Sequence, residues 1–218
     1  MSKRVAVILS GAGVFDGAEL HESVLCLLAL DRIGAEVTVL APDTDQAHVI
    51  NHQAGQPEAT ETRSVLKESA RVARGPVTAL DQAQCSDFDA VLMPGGFGAA
   101  KNLCTWAFDG ANCSVNPDVE AFLRGMHAQG SWIGACCIAP VIVAKIFGEQ
   151  GVEVTIGQGD AEHAEVEKTG AKHIKMNVRG VHRDATMRVL TTPAYMEAQR
   201  IAELPEGINE LVRQLMEA

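Results

Sequence analysis

Two apolar, β-branched runs, residues 4–10 (RVAVILS) and Glu36–Ala41 (EVTVLA), flank a segment at 19–33 with helical spacing of Leu20, Val24, Cys26, Leu27 and Leu28. Few architectures accept that succession. Strands joined through a helix run parallel, with a right-handed crossover. A parallel sheet needs helices on both faces, so further strand–helix pairs are expected downstream.

The rest of the chain supplies them. Residues 88–93 (FDAVLM) form a third buried strand, and the run after Gly130 and Ser131 (WIGAC) a fourth. Shorter strands are expected at 77–80 and 151–156, with 174–178 and 187–192 as a hairpin or two edge strands. Helices are expected at 62–73 and from Pro117, with Asn116 as N-cap. Others follow Pro140, cover 161–168 up to Gly170, and cover 195–218 with a break near Pro205. Residues 42–60 are polar and read as an insertion loop or flap. With 218 residues, the expectation is one domain over 1–218: a doubly wound, flavodoxin-like α/β three-layer sandwich with a mostly parallel central sheet.

Composition narrows the function classes. A net charge of -10 argues against nucleic-acid or anionic-membrane partners. No stretch approaches the roughly 18–20 apolar residues of a membrane span. Lys3-Arg4 followed by Val5 to Leu9 imitates an export signal, but Ser10-Gly11, Asp16 and Glu19 end it, and a first strand is expected instead. Six scattered cysteines without a C-x-x-C spacing point to reduced thiols in the cytoplasm, with neither a disulfide frame nor a zinc site.

Ligands of open parallel sheets sit at the carboxyl ends of the strands. Three unusual turns fall there: 10–17, 94–98 and 136–140. The first, with Gly11, Gly13 and Asp43 further on, tempts a dinucleotide reading. Asp16 stands where the third glycine should be, however, and Asp16, Glu19 and Glu22 would repel a pyrophosphate. Glu19 is expected as a surface acid complementing the helix dipole, the alternative being that it leans over the sheet edge toward the cysteine turn. Glu22, on the expected buried side of its helix, should have a raised pKa and exchange protons beside a thiol. Gly95 and Gly96 let backbone N–H groups approach a ligand, where they would stabilise an oxyanion. The third turn passes from strand to helix almost without a loop, a nucleophile elbow carrying Cys136 and Cys137. A thiol there is either a small buried hydrophobe or a nucleophile whose pKa the helix N-terminus lowers.

Gly17-Ala-Glu-Leu-His-Glu22, Pro94-Gly-Gly-Phe-Gly-Ala-Ala-Lys-Asn-Leu103 and Ala135-Cys-Cys137-Ile-Ala-Pro140 resemble the PfpI-type branch of the class I glutamine amidotransferase-like superfamily. Within it, the chain more closely resembles the ElbB-type glyoxalases linked to isoprenoid biosynthesis. Tyr195 and the Ile50-Asn-His-Gln53 loop fit that resemblance too. The resemblance implies Cys137 as nucleophile, Glu22 as its acid partner, and Gly96 and Ile138 as oxyanion-hole amides. It implies a glutathione-independent glyoxalase, a lyase turning small dicarbonyls such as glyoxal into 2-hydroxy acids without cofactor or metal, and a homodimer. A redox-sensing or accessory protein using the same cysteine, or a protein or nucleotide deglycase, are the alternatives. The departures also inform. Family peptidases carry His directly after the nucleophile, where this chain has Ile138. In other branches a third-member His follows the strand at 152–156, where this chain has Gly157. Amide hydrolysis is therefore disfavoured. His163, His173 and His182 remain as substitutes, with surface positions the simpler expectation, and Cys136 should point away and pack.

Overall fold

A computed structural model describes residues 2–218. The strands are β1 (Arg4–Ile8), β2 (Glu36–Ala41), β3 (Ile50–Asn51), β4 (Gln56–Pro57), β5 (Thr78–Ala79), β6 (Ala90–Met93), β7 (Trp132–Cys136), β8 (Glu153–Val154), β9 (Lys172–His173), β10 (His182–Asp184) and β11 (Val189–Thr192). The α-helices are α1 (Leu20–Ile33), α2 (Val65–Ala73), α3 (Phe97–Lys101), α4 (Trp106–Asp109), α5 (Pro117–Ala128), α6 (Pro140–Phe147), α7 (Asp160–Glu167) and α8 (Leu204–Glu217). The main sheet runs β10-β11-β7-β6-β1-β2-β5, parallel throughout except for β10. The α/β three-layer expectation holds.

The continuous apolar runs follow from burial on both faces. Val5 and Val7 of β1 enter the core beneath α1 and α8, while Ala6 and Ile8 enter the opposite core beneath α5 and α6. Ala90 and Leu92 against Val91 and Met93 repeat the division in β6. From Val5 to Ile8 and throughout β6, every position therefore needs an apolar side chain.

The structure corrects several boundaries. Residues 174–178 form no strand; the hairpin is β10–β11, and β9 pairs in parallel with β8 in a separate two-stranded sheet. Pro205 does not interrupt a helix but lies in the first turn of α8, where its missing N–H costs nothing. The buried side of α1 carries Glu22, Ser23, Cys26, Ala29 and Leu30, whereas Leu20, Val24 and Leu28 face outward. Mainly small residues line the buried side, and the bulky stripe is left free.

The 42–60 segment is tied down. It holds the β3–β4 hairpin and is fastened by Asn102, whose Nδ2 donates to the carbonyls of Ser10 (2.9 Å) and Asp16 (2.8 Å) and whose Oδ1 accepts from Ala47 N–H (2.9 Å). The buried Asp16 carboxylate accepts from Ile50 N–H at 2.6 Å. Asn102→Ala orphans all three partners and is expected to cost about 3 kcal/mol in urea unfolding. Limited proteolysis should then cut first within 42–60.

Candidate active site

The three turns meet at the carboxyl edge of the sheet. Glu19 N–H donates to Gly95 O (3.0 Å), Phe97 N–H to Val14 O (2.8 Å) and Gly98 N–H to Gly17 O (2.8 Å), sewing the first turn to the second. Only glycine fits at 96: its φ is +95°, and a Cβ would lie 2.3 Å from the Glu19 nitrogen. Cys137 sits at the end of β7 with φ +59°, its N–H donating to Thr192 O at 3.0 Å. A left-handed conformation at a residue other than glycine stores about 1–3 kcal/mol. Here it turns the thiol out of the strand toward the glycine turn. Cys136 points away and packs against Cys26 of α1. All six cysteines are free.

Glu22 is fully buried on α1 and faces the thiol. Its Oε2 accepts from Gly95 N–H (3.0 Å) and its Oε1 from Tyr195 N–H (3.1 Å). Burial, opposed by the Tyr195 N–H and reinforced by nearby Glu19, raises its pKa from 4.5 to about 7. The native state therefore holds this proton more tightly than the unfolded chain does. The stabilisation is full below about 4.5 and is lost as pH rises through about 7.

The thiol behaves differently from the expectation. Burial first, then the Glu22 carboxylate, push Cys137 well above its ordinary value, against the N–H groups of Gly96 and Ile138 that favour its thiolate. Desolvation outweighs the helix end. Of the three backbone amides expected for an oxyanion, Gly96 and Ile138 face the sulfur, while the Gly95 N–H is occupied by Glu22.

Other residues join the site that sequence reasoning placed elsewhere or missed. Glu19 is buried rather than on the surface, because its carboxylate caps α1 by accepting from Glu22 N–H at 2.7 Å. His21 Nδ1 lies 2.8 Å from the Tyr195 hydroxyl. A cleft of about 520 Å³ opens beside Cys137, walled by Phe97, Trp106, Ile138, Tyr195 and Met196. Neighbouring Gly96 flagged Phe97, but nothing local flagged Trp106. His163, His173 and His182 do not line this cleft. His173 is buried rather than on the surface; its Nε2 accepts from Ile156 N–H at 2.9 Å, and burial lowers its pKa to about 4. It stacks on His163 at 3.6 Å, and His182 pairs with Glu153 at 3.1 Å. Among the described residues, no group of three His, Cys, Asp or Glu side chains is placed to hold a metal ion.

The profile of the DJ-1/PfpI family matches residues 3–192. The human glutamine amidotransferase-like class 1 domain-containing protein 3, mitochondrial, is 46% identical, covering 98% of this chain and 82% of its own. The zebrafish (Danio rerio) ES1 protein, mitochondrial, is 30% identical over 97% of this chain and 84% of its own. A crystal structure of an isoprenoid biosynthesis protein with an amidotransferase-like domain from Ehrlichia chaffeensis superposes with a TM-score of 0.90, at 32% identity, covering 98% and 99% of the two chains. The names of the human and zebrafish relatives overturn the cytoplasmic expectation. Reduced thiols suit any reducing compartment, so cysteine usage did not discriminate.

Proposed function

The chain belongs to the DJ-1/PfpI family, and from that premise we propose that it is a cofactor-independent glyoxalase converting glyoxal-type dicarbonyls to 2-hydroxy acids through Cys137. One observation carries the reading: a carboxyl raised to about 7 and a buried thiol face each other across Gly95, their Oε2 and Sγ 2.9 and 2.8 Å from where a Cβ on Gly95 would lie, with two backbone N–H donors turned toward the sulfur. Glu22, partly ionised at neutral pH, takes the thiol proton as sulfur adds to one aldehyde carbon. The resulting oxyanion lies against the Gly96 and Ile138 amides and is reprotonated to a hemithioacetal. Glu22 then moves the proton from that carbon to the neighbouring carbonyl through an enediol, leaving a thioester. Water hydrolyses the thioester, releasing glycolate and restoring the thiol.

Cys137→Ser is expected to abolish glyoxal turnover, followed as glycolate formation, while leaving the thermal midpoint within a few degrees. Full activity in this variant sinks the proposal. The alternative of a redox sensor fits less well, since sensing thiols have a low pKa and burial raises that of Cys137.

A homodimer is the companion proposal. Leu20, Val24 and Leu28 stand 44%, 53% and 38% exposed at four-residue spacing along α1, a stripe that a second copy could cover about a two-fold axis. Val24→Asp is expected to give a monomer in light scattering after size exclusion; an unchanged mass assigns the stripe no such role.

A further inference from the structure

Resting on the glyoxalase reading, we infer that the acyl group this site is built to accept is bulky, apolar and uncharged. The class is a 2-oxoaldehyde with an aromatic or branched aliphatic substituent, not glyoxal itself and not a phosphorylated or carboxylated analogue. The first ground is size. Glyoxal has about the bulk of two waters, on the order of 60 Å³, whereas the cleft beside Cys137 holds about 520 Å³. A substrate held only at Cys137 and the two amides would leave most of that space to water.

The second ground is the chemistry of the walls. Phe97, Trp106, Tyr195 and Met196 line the cleft with ring and thioether surface, and apolar surface gains by excluding water. Charge supplies the third. No Lys, Arg or His side chain is among the residues lining the cleft, while Glu19 and Glu165 are. An anionic tail would thus meet two carboxylates on the walls, while the ammonium groups beside them are engaged, Lys168 with Glu165 and Lys101 with the Phe15 carbonyl and the Phe97 ring, in a molecule of net charge -10. The two acids do not call for a cationic tail either. Glu165 accepts from Ala111 N–H at 2.8 Å and pairs with Lys168, and Glu19 is engaged as the cap of α1. What remains is a neutral apolar group.

Two measurements test this. The first is turnover: phenylglyoxal, which takes up one water to give mandelate, should exceed glyoxal in kcat/KM by about 10²-fold. The phosphate ester of hydroxypyruvaldehyde should not exceed glyoxal. Trp106→Ala should shrink the phenylglyoxal-to-glyoxal ratio by about tenfold. The second needs no turnover. 2-Bromoacetophenone, bromoacetone and bromopyruvate each alkylate a thiol by forming S–C and expelling bromide. Their rates at Cys137, read by intact mass and divided by their rates with free cysteine, should fall in that order. Equal or better use of glyoxal, with bromopyruvate reacting fastest, overturns the inference while leaving the glyoxalase reading standing. No turnover of any dicarbonyl, with the alkylation order intact, instead fails the glyoxalase reading and keeps the ligand class.

Discussion

Glu22→Gln is expected to lower kcat/KM for glyoxal by about 10²–10⁴-fold, the usual contribution of a positioned general base. The shape is retained, so the loss isolates the proton. The wild-type profile gives the sign: the base must be ionised, so activity rises with pH through about 7 and levels off above it. A thiol ionising unaided would move that rise above 9, because burial holds Cys137 high. The rise near 7 should vanish in the variant. A stability cost accompanies the change and is read separately by urea unfolding. Both Glu22 oxygens accept N–H groups, from Gly95 and Tyr195, so the new amide nitrogen must face a donor, at about 1–3 kcal/mol. A rise still centred near 7 in the variant would remove Glu22 from the chemistry.

Gly95→Ala has the second largest expected effect. A Cβ at this position would lie 2.4 Å from Cys137 Cβ, 2.8 Å from its Sγ and 2.9 Å from Glu22 Oε2. None of these is the free end of an exposed side chain, so the elbow or the carboxyl must shift. A displacement of about 1 Å at a reacting atom can cost on the order of 10²-fold in rate. Glyoxal turnover should fall by that amount, and the alkylation rate of Cys137 should change with it. An unchanged rate for both would mean that the spacing between thiol and carboxyl is not what sets reactivity.

The architecture was largely legible because its signals are local. The runs Val5–Ile8 of β1 and all of β6 are apolar at every position, and both sheet faces are covered there, whereas β2, next to the edge strand, sets exposed Glu36 and Thr38 between its apolar residues. Asn116 and Pro117 announced α5 by their cap chemistry, and the structure agrees. What escaped depends on tertiary surroundings. Glu19 reads as a surface acid until the second turn closes over it. The Leu20, Val24, Leu28 spacing is the same whether the face meets its own core or solvent, and here it meets solvent. At Cys137 the helix end is visible in the sequence, but the desolvation that outweighs it is not. Trp106 reaches the cleft from a short helix with no motif to mark it.

The reacting centre draws most of its polar contacts from the main chain. The amides of Gly96 and Ile138 face the sulfur, and those of Gly95 and Tyr195 hold the carboxylate. A substitution of the Ile138 or Tyr195 side chain leaves its N–H in place. Walls and chemistry are thereby separable under mutation: side chains around the cleft can be exchanged to fit another carbonyl compound while the proton-transfer pair and its donors persist. Such a scaffold is well suited to laboratory evolution, in which libraries at 97, 106 and 138 would be expected to diverge in specificity before they lose turnover.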